Sequence, residues 1–351
     1  MNCRRSNEIS NAGFSFGYFG GMLALVLSAP IIFLLFSVQK TLEQEARYLG
    51  LQLAMVLTGA WWLGFYWLTV KTLRPRPGTP MLGGFSQAWY SAMTRCKSIF
   101  SEAWKSQSAS RYLLIWFIFS DGVSVCASTA VLFAEAEVDW GCIPKGLGLW
   151  SMTTITGLFA GVGSHFAPRV QTMLQLDSKT MLMTTLCALA LVPFWAIVGL
   201  WSRDFGLRTG WEMLAIAALF GISLGPMQGF SRAIYSALIP EGQEAAYFSL
   251  YQLTDKGSGF VGPLVVAAVI QATGNMRYSL VYPLCLIGVA LGMLALYDFE
   301  AAASKIRSPP SSLSAPVGGM QNEMEMVMGP VVVQAGVPAA QVEGACGLVE
   351  S

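Results

Sequence analysis

Charge, histidine and the usual signatures of catalysis are all scarce in this chain. Only 12% of its 351 residues are charged, against about 25% in soluble domains. With 54% hydrophobic residues and a mean hydropathy of +0.54, that scarcity argues against a soluble domain and for the membrane class. A formal net charge of +1 supplies no global field toward nucleic acid or acidic substrates. His165 is the single histidine, so a Ser-His-Asp or Cys-His arrangement has little support. The seven cysteines (Cys3, Cys96, Cys126, Cys142, Cys187, Cys285 and Cys346) are scattered and form no CxxC. That pattern speaks against a zinc site or a disulfide framework. No Walker A sequence is present, which argues against an ATP-driven pump. Neither an enzyme, a cofactor nor a metal is expected.

Long apolar runs are what the chain has instead. A bilayer crossing needs about 20 mostly apolar helical residues. Eight segments meet that length, at roughly 14–38, 49–70, 111–133, 146–166, 180–201, 212–236, 247–270 and 277–297. The first is too long for a signal-peptide core and reads as a spanning helix. Strand-like alternation is absent, and lipid cannot satisfy open backbone groups, so the expected class is all-α integral membrane.

Basic residues suggest the orientation. With the N-terminus cytosolic, 14 lysines and arginines fall on the cytosolic side and 6 opposite. Lys256 alone lies within a helix, which accounts for all 21. The positive-inside rule then places both termini in the cytosol. The longest connection, 71–110, carries much of that basic charge and opens with Arg74-Pro-Arg-Pro-Gly-Thr-Pro, which cannot be helix. Its later part, 85–104, reads as an amphipathic helix able to rest on an anionic leaflet; a solvated linker is the other reading. Residues 299–351 read as a disordered cytosolic tail.

Ionisable residues inside the membrane default to functional candidates. Asp121 sits near the middle of the third segment, as a substrate or proton site or a structural hydrogen-bond acceptor. Gln228 and Arg232 lie one turn apart at the cytosolic end of the sixth. Asp255 and Lys256 read as structural or gating ion pairs. Adjacent helical residues point about 100° apart, so separate partners are expected for them. Tyr251 shares the face of Asp255, and Arg232 has Glu241, Glu244 and Asp255 as candidate partners. Gly221, Gly225 and Gly229, with Pro226 among them, and Gly157 with Gly161 suit close helix packing or a flexible helix beside a transport path. The tryptophans near helix ends (Trp61, Trp62, Trp67, Trp140, Trp150, Trp195, Trp201 and Trp211) read as interfacial anchors.

The stretch from Ser231 to Arg277 is distinctive. It contains Ser231-Arg-Ala-Ile-Tyr-Ser-Ala-Leu-Ile-Pro-Glu-Gly-Gln-Glu, then Thr254-Asp-Lys-Gly-Ser-Gly-Phe-Val-Gly-Pro-Leu, and ends Ala272-Thr-Gly-Asn-Met-Arg. It closely resembles the signature region of the vacuolar effluxers, the autophagy-related protein 22-like branch of the major facilitator superfamily. Gly13-Phe-Ser-Phe-Gly-Tyr-Phe-Gly-Gly, Trp61-Trp62 and Trp116-Phe-Ile-Phe-Ser-Asp-Gly echo the same family. The resemblance covers about 11–298.

That resemblance implies a carrier of two six-helix bundles that exports amino acids from the vacuole or lysosome lumen after autophagic breakdown. Aligned with it, residues 1–70 hold two helices of the first bundle, 71–110 the cytosolic linker and 111–298 a complete second bundle. Counterparts of the first four helices are then lacking. The expectation is a major-facilitator-type bundle of about eight transmembrane helices in the vacuolar or lysosomal membrane. Its substrate or proton path would run past Asp121, Gln228 and Arg232. Asp255, Lys256, Glu244 and Tyr251 would form gate or structural ion pairs. Its expected partners are the bilayer and a small-molecule substrate, amino acids by resemblance, with no nucleic acid. Proton coupling, and a helix partner or second copy for the short chain, stay open. The alternative is a non-transporting membrane scaffold derived from a truncated transporter.

Overall fold

A computed structural model describes residues 3–38, 45–73, 84–105, 107–202, 205–240, 243–257, 259–299, 301–302 and 304. The chain divides into two units, Met1–Ala303 and Ser304–Ser351, and of the second only Ser304 is described. The expected tail therefore lies almost wholly outside the described residues, as does the proline-rich start of the linker.

The described residues form ten α-helices: α1 (Cys3–Val38), α2 (Glu45–Thr72), α3 (Phe85–Lys105), α4 (Gln107–Ala136), α5 (Lys145–Met173), α6 (Ser178–Val198), α7 (Gly210–Ser236), α8 (Glu244–Gly257), α9 (Val261–Thr273) and α10 (Val281–Leu296). A short 3-10 helix, Met276–Leu280, leads into α10. Among the described residues, seven segments are long and apolar enough to cross a membrane. The chain is an all-α integral membrane bundle, as its composition leads one to expect.

Three differences from the sequence expectation have physical causes. Helix α5, expected to span, is not among the seven, because glycine, serine and threonine dilute its apolar content. Those same small residues form its buried face, including Gly161, Gly163 and Ser164. The segment expected as one helix over 247–270 is two helices, parted around Gly259. Gly257 and Gly259 weaken the helix there, and Pro263 lacks the N–H needed to continue a ladder. Finally, α1 begins at Cys3 rather than near residue 14, because its polar first turns find partners on other helices.

Helices α5 and α7 pack together closely, with α1 laid across both and α6 beside α7. At Gly225 a methyl group would collide with the Ala160 carbonyl of α5. The two backbones therefore touch, the close approach that small residues permit between membrane helices. Helix α4 packs on α10 and α8.

The end of the bundle that holds the α4–α5 and α6–α7 connections is fastened by Arg277. This side chain is 5% exposed. Its Nη1 donates to the carbonyls of Ala196 and Gly206, and its Nε lies 3.4 Å from the Glu137 carboxylate. The guanidinium also covers the Phe133 ring at 4.8 Å. Gly274 takes the left-handed conformation that ends α9, and the Asn275 carboxamide then accepts the Arg277 N–H at 2.9 Å. Nearby, Thr209 caps α7, and Glu212 accepts the Arg208 N–H at 2.8 Å. Trp140, expected as an interfacial anchor, is buried here instead. It donates to the Ala134 carbonyl at 2.9 Å and packs on Gly148 and Gly210, whose lack of a side chain makes room for the indole. Trp62, Trp67, Trp201 and Trp211 are exposed, in keeping with the anchor reading.

Candidate functional site

A cavity of about 660 Å³ opens between α1, α7 and α8. That volume falls within the range of small-molecule sites, about 300–1,000 Å³. Helix α1 contributes Ser6, Ser10, Gly13, Gly17 and Tyr18, small or polar residues at helical spacing, with Ile9 and Phe14 beside them. Helix α7 contributes Gln228, Arg232, Ala233 and Ser236, and α8 contributes Phe248. Gln228 and Arg232 are one turn apart, so a single face of α7 presents both.

A few polar groups face this largely apolar cavity. Tyr18 donates a 2.6 Å hydrogen bond to Gln228 Oε1. The Arg232 guanidinium lies over the Phe248 ring, 5.1 Å from its centroid, a cation–π arrangement that holds the charge at the cavity wall. Ser10 Oγ is buried with no hydrogen-bond partner among the described residues. Together the walls offer a cation, a hydroxyl and an amide beside apolar surface from Ile9, Phe14 and Phe248. Such a set suits a small zwitterion or carboxylate carrying an apolar group.

The opposite face of α1 is a polar seam against α5, α6 and α7. Arg4 donates to Gln175 at 2.8 Å, and Asn7 donates to Gln171 at 3.0 Å and to Ser178 at 2.8 Å. Asn11 lies against Gly229, where only a missing side chain leaves room. Ser15 donates to the Gly161 carbonyl at 3.0 Å, while Ser6 and Ser236, 3.0 Å apart, join α1 to α7 at the edge of the cavity. The structure thus adds Tyr18, Ser10 and the Asn7–Asn11–Ser15 row to the candidate residues. Their signal was present as polar residues at 3–4 spacing over 4–18, the run that an apolar-segment criterion sets aside.

Of the residues expected at the site, Gln228 and Arg232 meet at this cavity and Asp121 does not line it. Asp121 is 5% exposed. Tyr282 of α10 donates to its Oδ2 at 3.2 Å, and Oδ1 has no partner among the described residues. Tyr251 is buried in an aromatic column instead of an ion-pair network. It stacks on Trp116 at 4.4 Å and on Tyr235 at 5.1 Å, and Tyr235 stacks on Tyr112 at 6.1 Å. Tyr112 and Tyr251 both reach Ser231, at 3.0 and 3.2 Å, which joins α4, α7 and α8.

Asp255 and Lys256 depart from the expectation of separate partners. They pair with each other at 2.8 Å, with the Lys256 side chain 82% exposed. The long lysine stem bends back over the roughly 100° between neighbouring positions, so adjacency does not forbid the contact. Glu244 lies exposed in the first turn of α8, where the helix dipole favours a carboxylate.

Residues 1–306, which include every described helix and both walls of the cavity, match the family described as "Vacuole effluxer Atg22 like". Autophagy-related protein 22-1 of Phaeosphaeria nodorum is 31% identical over 316 residues, covering 84% of this chain and 55% of the relative. Autophagy-related protein 22 of Yarrowia lipolytica is 30% identical, covering 84% and 51%. Autophagy-related protein 22-1 of Aspergillus clavatus is 32% identical, covering 84% and 50%. The chain spans about half the length of the curated relatives it matches. No solved structure matches it. With the match running unbroken through bundle and cavity alike, the chain belongs to the Atg22-like vacuole effluxer family.

Proposed function

We propose that this protein is a secondary carrier of the major facilitator type that moves amino acids from the vacuole or lysosome lumen to the cytosol during autophagy. The cavity between α1, α7 and α8 carries this reading. It sets the Arg232 cation and the Tyr18–Gln228 pair beside apolar walls, the pairing that a free amino acid with an apolar side chain requires. Arg232 receives the substrate carboxylate, and Ile9, Phe14 and Phe248 receive the side chain. Family membership and the relatives' names support vacuolar transport in autophagy.

In this reading α5 also crosses the membrane, giving eight crossings with both termini cytosolic; α1 and α2 belong to a first bundle, and α4 to α10 form the second. Asp121, buried away from the cavity, takes a proton rather than the substrate amine. Coupling then comes from the differential affinity of the two carrier states for proton and substrate. The break between α8 and α9 sits beside the Asp255–Lys256 pair. Interrupted helices of this kind occur at transporter sites, so this pair, with Glu244 and Tyr251, belongs to the moving gate.

Leucine flux into proteoliposomes carrying the full chain tests the reading. Arg232→Gln abolishes saturable uptake if Arg232 binds the carboxylate. Asp121→Asn retains exchange but loses its response to a pH gradient. Normal flux in Arg232→Gln removes the cavity from the path. No flux from well-folded wild-type protein favours the non-transporting scaffold.

A further inference from the structure

We propose that α3 is a membrane-surface helix that docks on the anionic lipid of the leaflet at the N-terminal side of the bundle. The inference is independent of transport and uses the orientation proposed above only to name that leaflet as cytosolic.

Helix α3 is amphipathic: Phe85, Trp89, Met93 and Phe100 share one face, while Gln87, Thr94 and Ser98 lie opposite. Among the described residues the face is left open over its first turns, while Phe100 meets α4 and α8. Phe85 is 86% exposed, Trp89 60%, Met93 47% and Phe100 52%. An unburied stripe of this kind on a 21-residue helix is unstable in water and stable in the headgroup region. Tyr90 at the stripe's edge pairs an aromatic ring with a polar tip, as interfacial residues do.

Position and charge identify the occupant. The spanning part of α4 begins at Ser108, three residues beyond the end of α3 at Lys105, so α3 is tethered at the membrane boundary. Residues 71–110 carry six basic residues (Lys71, Arg74, Arg76, Arg95, Lys97 and Lys105) against the single acid Glu102. A basic segment held at a bilayer surface attracts anionic headgroups. Below Phe100, an apolar crevice of about 190 Å³ runs between α4 and α8, lined by Leu113, Leu114, Phe117, Leu250 and Leu253. It gives one acyl chain a place beneath a headgroup held by the basic segment.

Spin labels decide it. With the native cysteines replaced by serine, Met93→Cys and Ser98→Cys are labelled separately in the full chain. Each is reconstituted in nanodiscs of phosphatidylcholine alone or with phosphatidylserine. The proposal expects a severalfold higher ratio of oxygen to nickel-chelate collisions at 93 than at 98. It also expects that contrast to rise with phosphatidylserine and to fall again in high salt, because salt screens surface charge. Equal nickel access at both positions in either lipid overturns it in favour of a solvated linker. A label at 93 shielded from both reagents, whatever the lipid, overturns it in favour of a protein cover.

Discussion

Tyr18 of α1 donates a 2.6 Å hydrogen bond to the Gln228 side chain of α7, across the wall of the cavity that also holds Arg232. The bond joins two helices that are 210 residues apart in the chain. It makes Tyr18 both a wall of the site and a link between α1 and the remainder of the bundle. Tyr18→Phe keeps the ring and removes the bond, whose net worth is about 1 kcal/mol. The expected result in proteoliposomes is a several-fold change in the concentration for half-maximal leucine flux, with stability lowered only by about that 1 kcal/mol. An unaltered concentration dependence would show that Tyr18 does not face the substrate.

The contact of α1 with α7 makes a separate prediction. Ser6 and Ser236 are 3.0 Å apart at their hydroxyls, so Ser6→Cys with Ser236→Cys in a cysteine-free background cross-links under mild oxidant. Gly229→Ala places a methyl group into the Asn11 amide, an overpacking that costs about 1–3 kcal/mol. The cross-link yield is expected to fall in that variant, because α1 is displaced from α7. Undiminished cross-linking would mean that α1 does not sit in the Gly229 notch.

Arg277 answers to stability rather than transport. Its replacement by methionine nearly keeps the volume, strands the carbonyls of Ala196 and Gly206 and returns the Glu137 carboxylate to solvent. Glu137 is solvent-accessible, so the loss comes from the buried carbonyls left without a donor, about 1–3 kcal/mol each. Thermal unfolding in detergent is expected to show a clear loss for Arg277→Met and a smaller one for Arg277→Lys, which keeps charge without the fork. Wild-type stability in Arg277→Lys would indicate that the guanidinium geometry is irrelevant.

The aromatic column separates ring from hydroxyl. Tyr251 lies between Trp116 and Tyr235. Tyr251→Ala empties the space of a buried ring at a cost of about 3–5 kcal/mol. Tyr251→Phe loses only the bond to Ser231, about 1 kcal/mol. Unfolding midpoints should order wild type, Phe, Ala, with the larger step at alanine.

Much of this architecture was legible in the residues. Apolar runs of membrane length place the spanning helices, and the 3.6-residue pattern over 85–104 marks α3. Gln228 and Arg232 share a helix face by spacing alone, and the cavity brings them together. What escaped were features decided by distant partners. Asn7 and Asn11 look unsuited to a membrane helix until Gln171, Ser178 and Gly229 are seen to receive them. Arg277 counts as a loop cation until the carbonyl of Ala196, 81 residues away, is seen to hold it. The Gly257 and Gly259 pair was visible, but the surrounding apolar content runs through the break and hides it. Asp121 reads as a cavity residue by its place in α4, and only the packing of α4 on α10 directs it to Tyr282.

The fastening at Arg277 bears on how the protein is made. The ribosome delivers α4, α6 and α7 well before residue 277, yet the Glu137, Ala196 and Gly206 groups all wait on that one side chain. Chains generally acquire structure from the N-terminus during synthesis, so this end of the bundle stays untied until residue 277 has been made. A nascent chain stopped at residue 275 would hold nearly the same helices and lack the residue that ties three of its segments together.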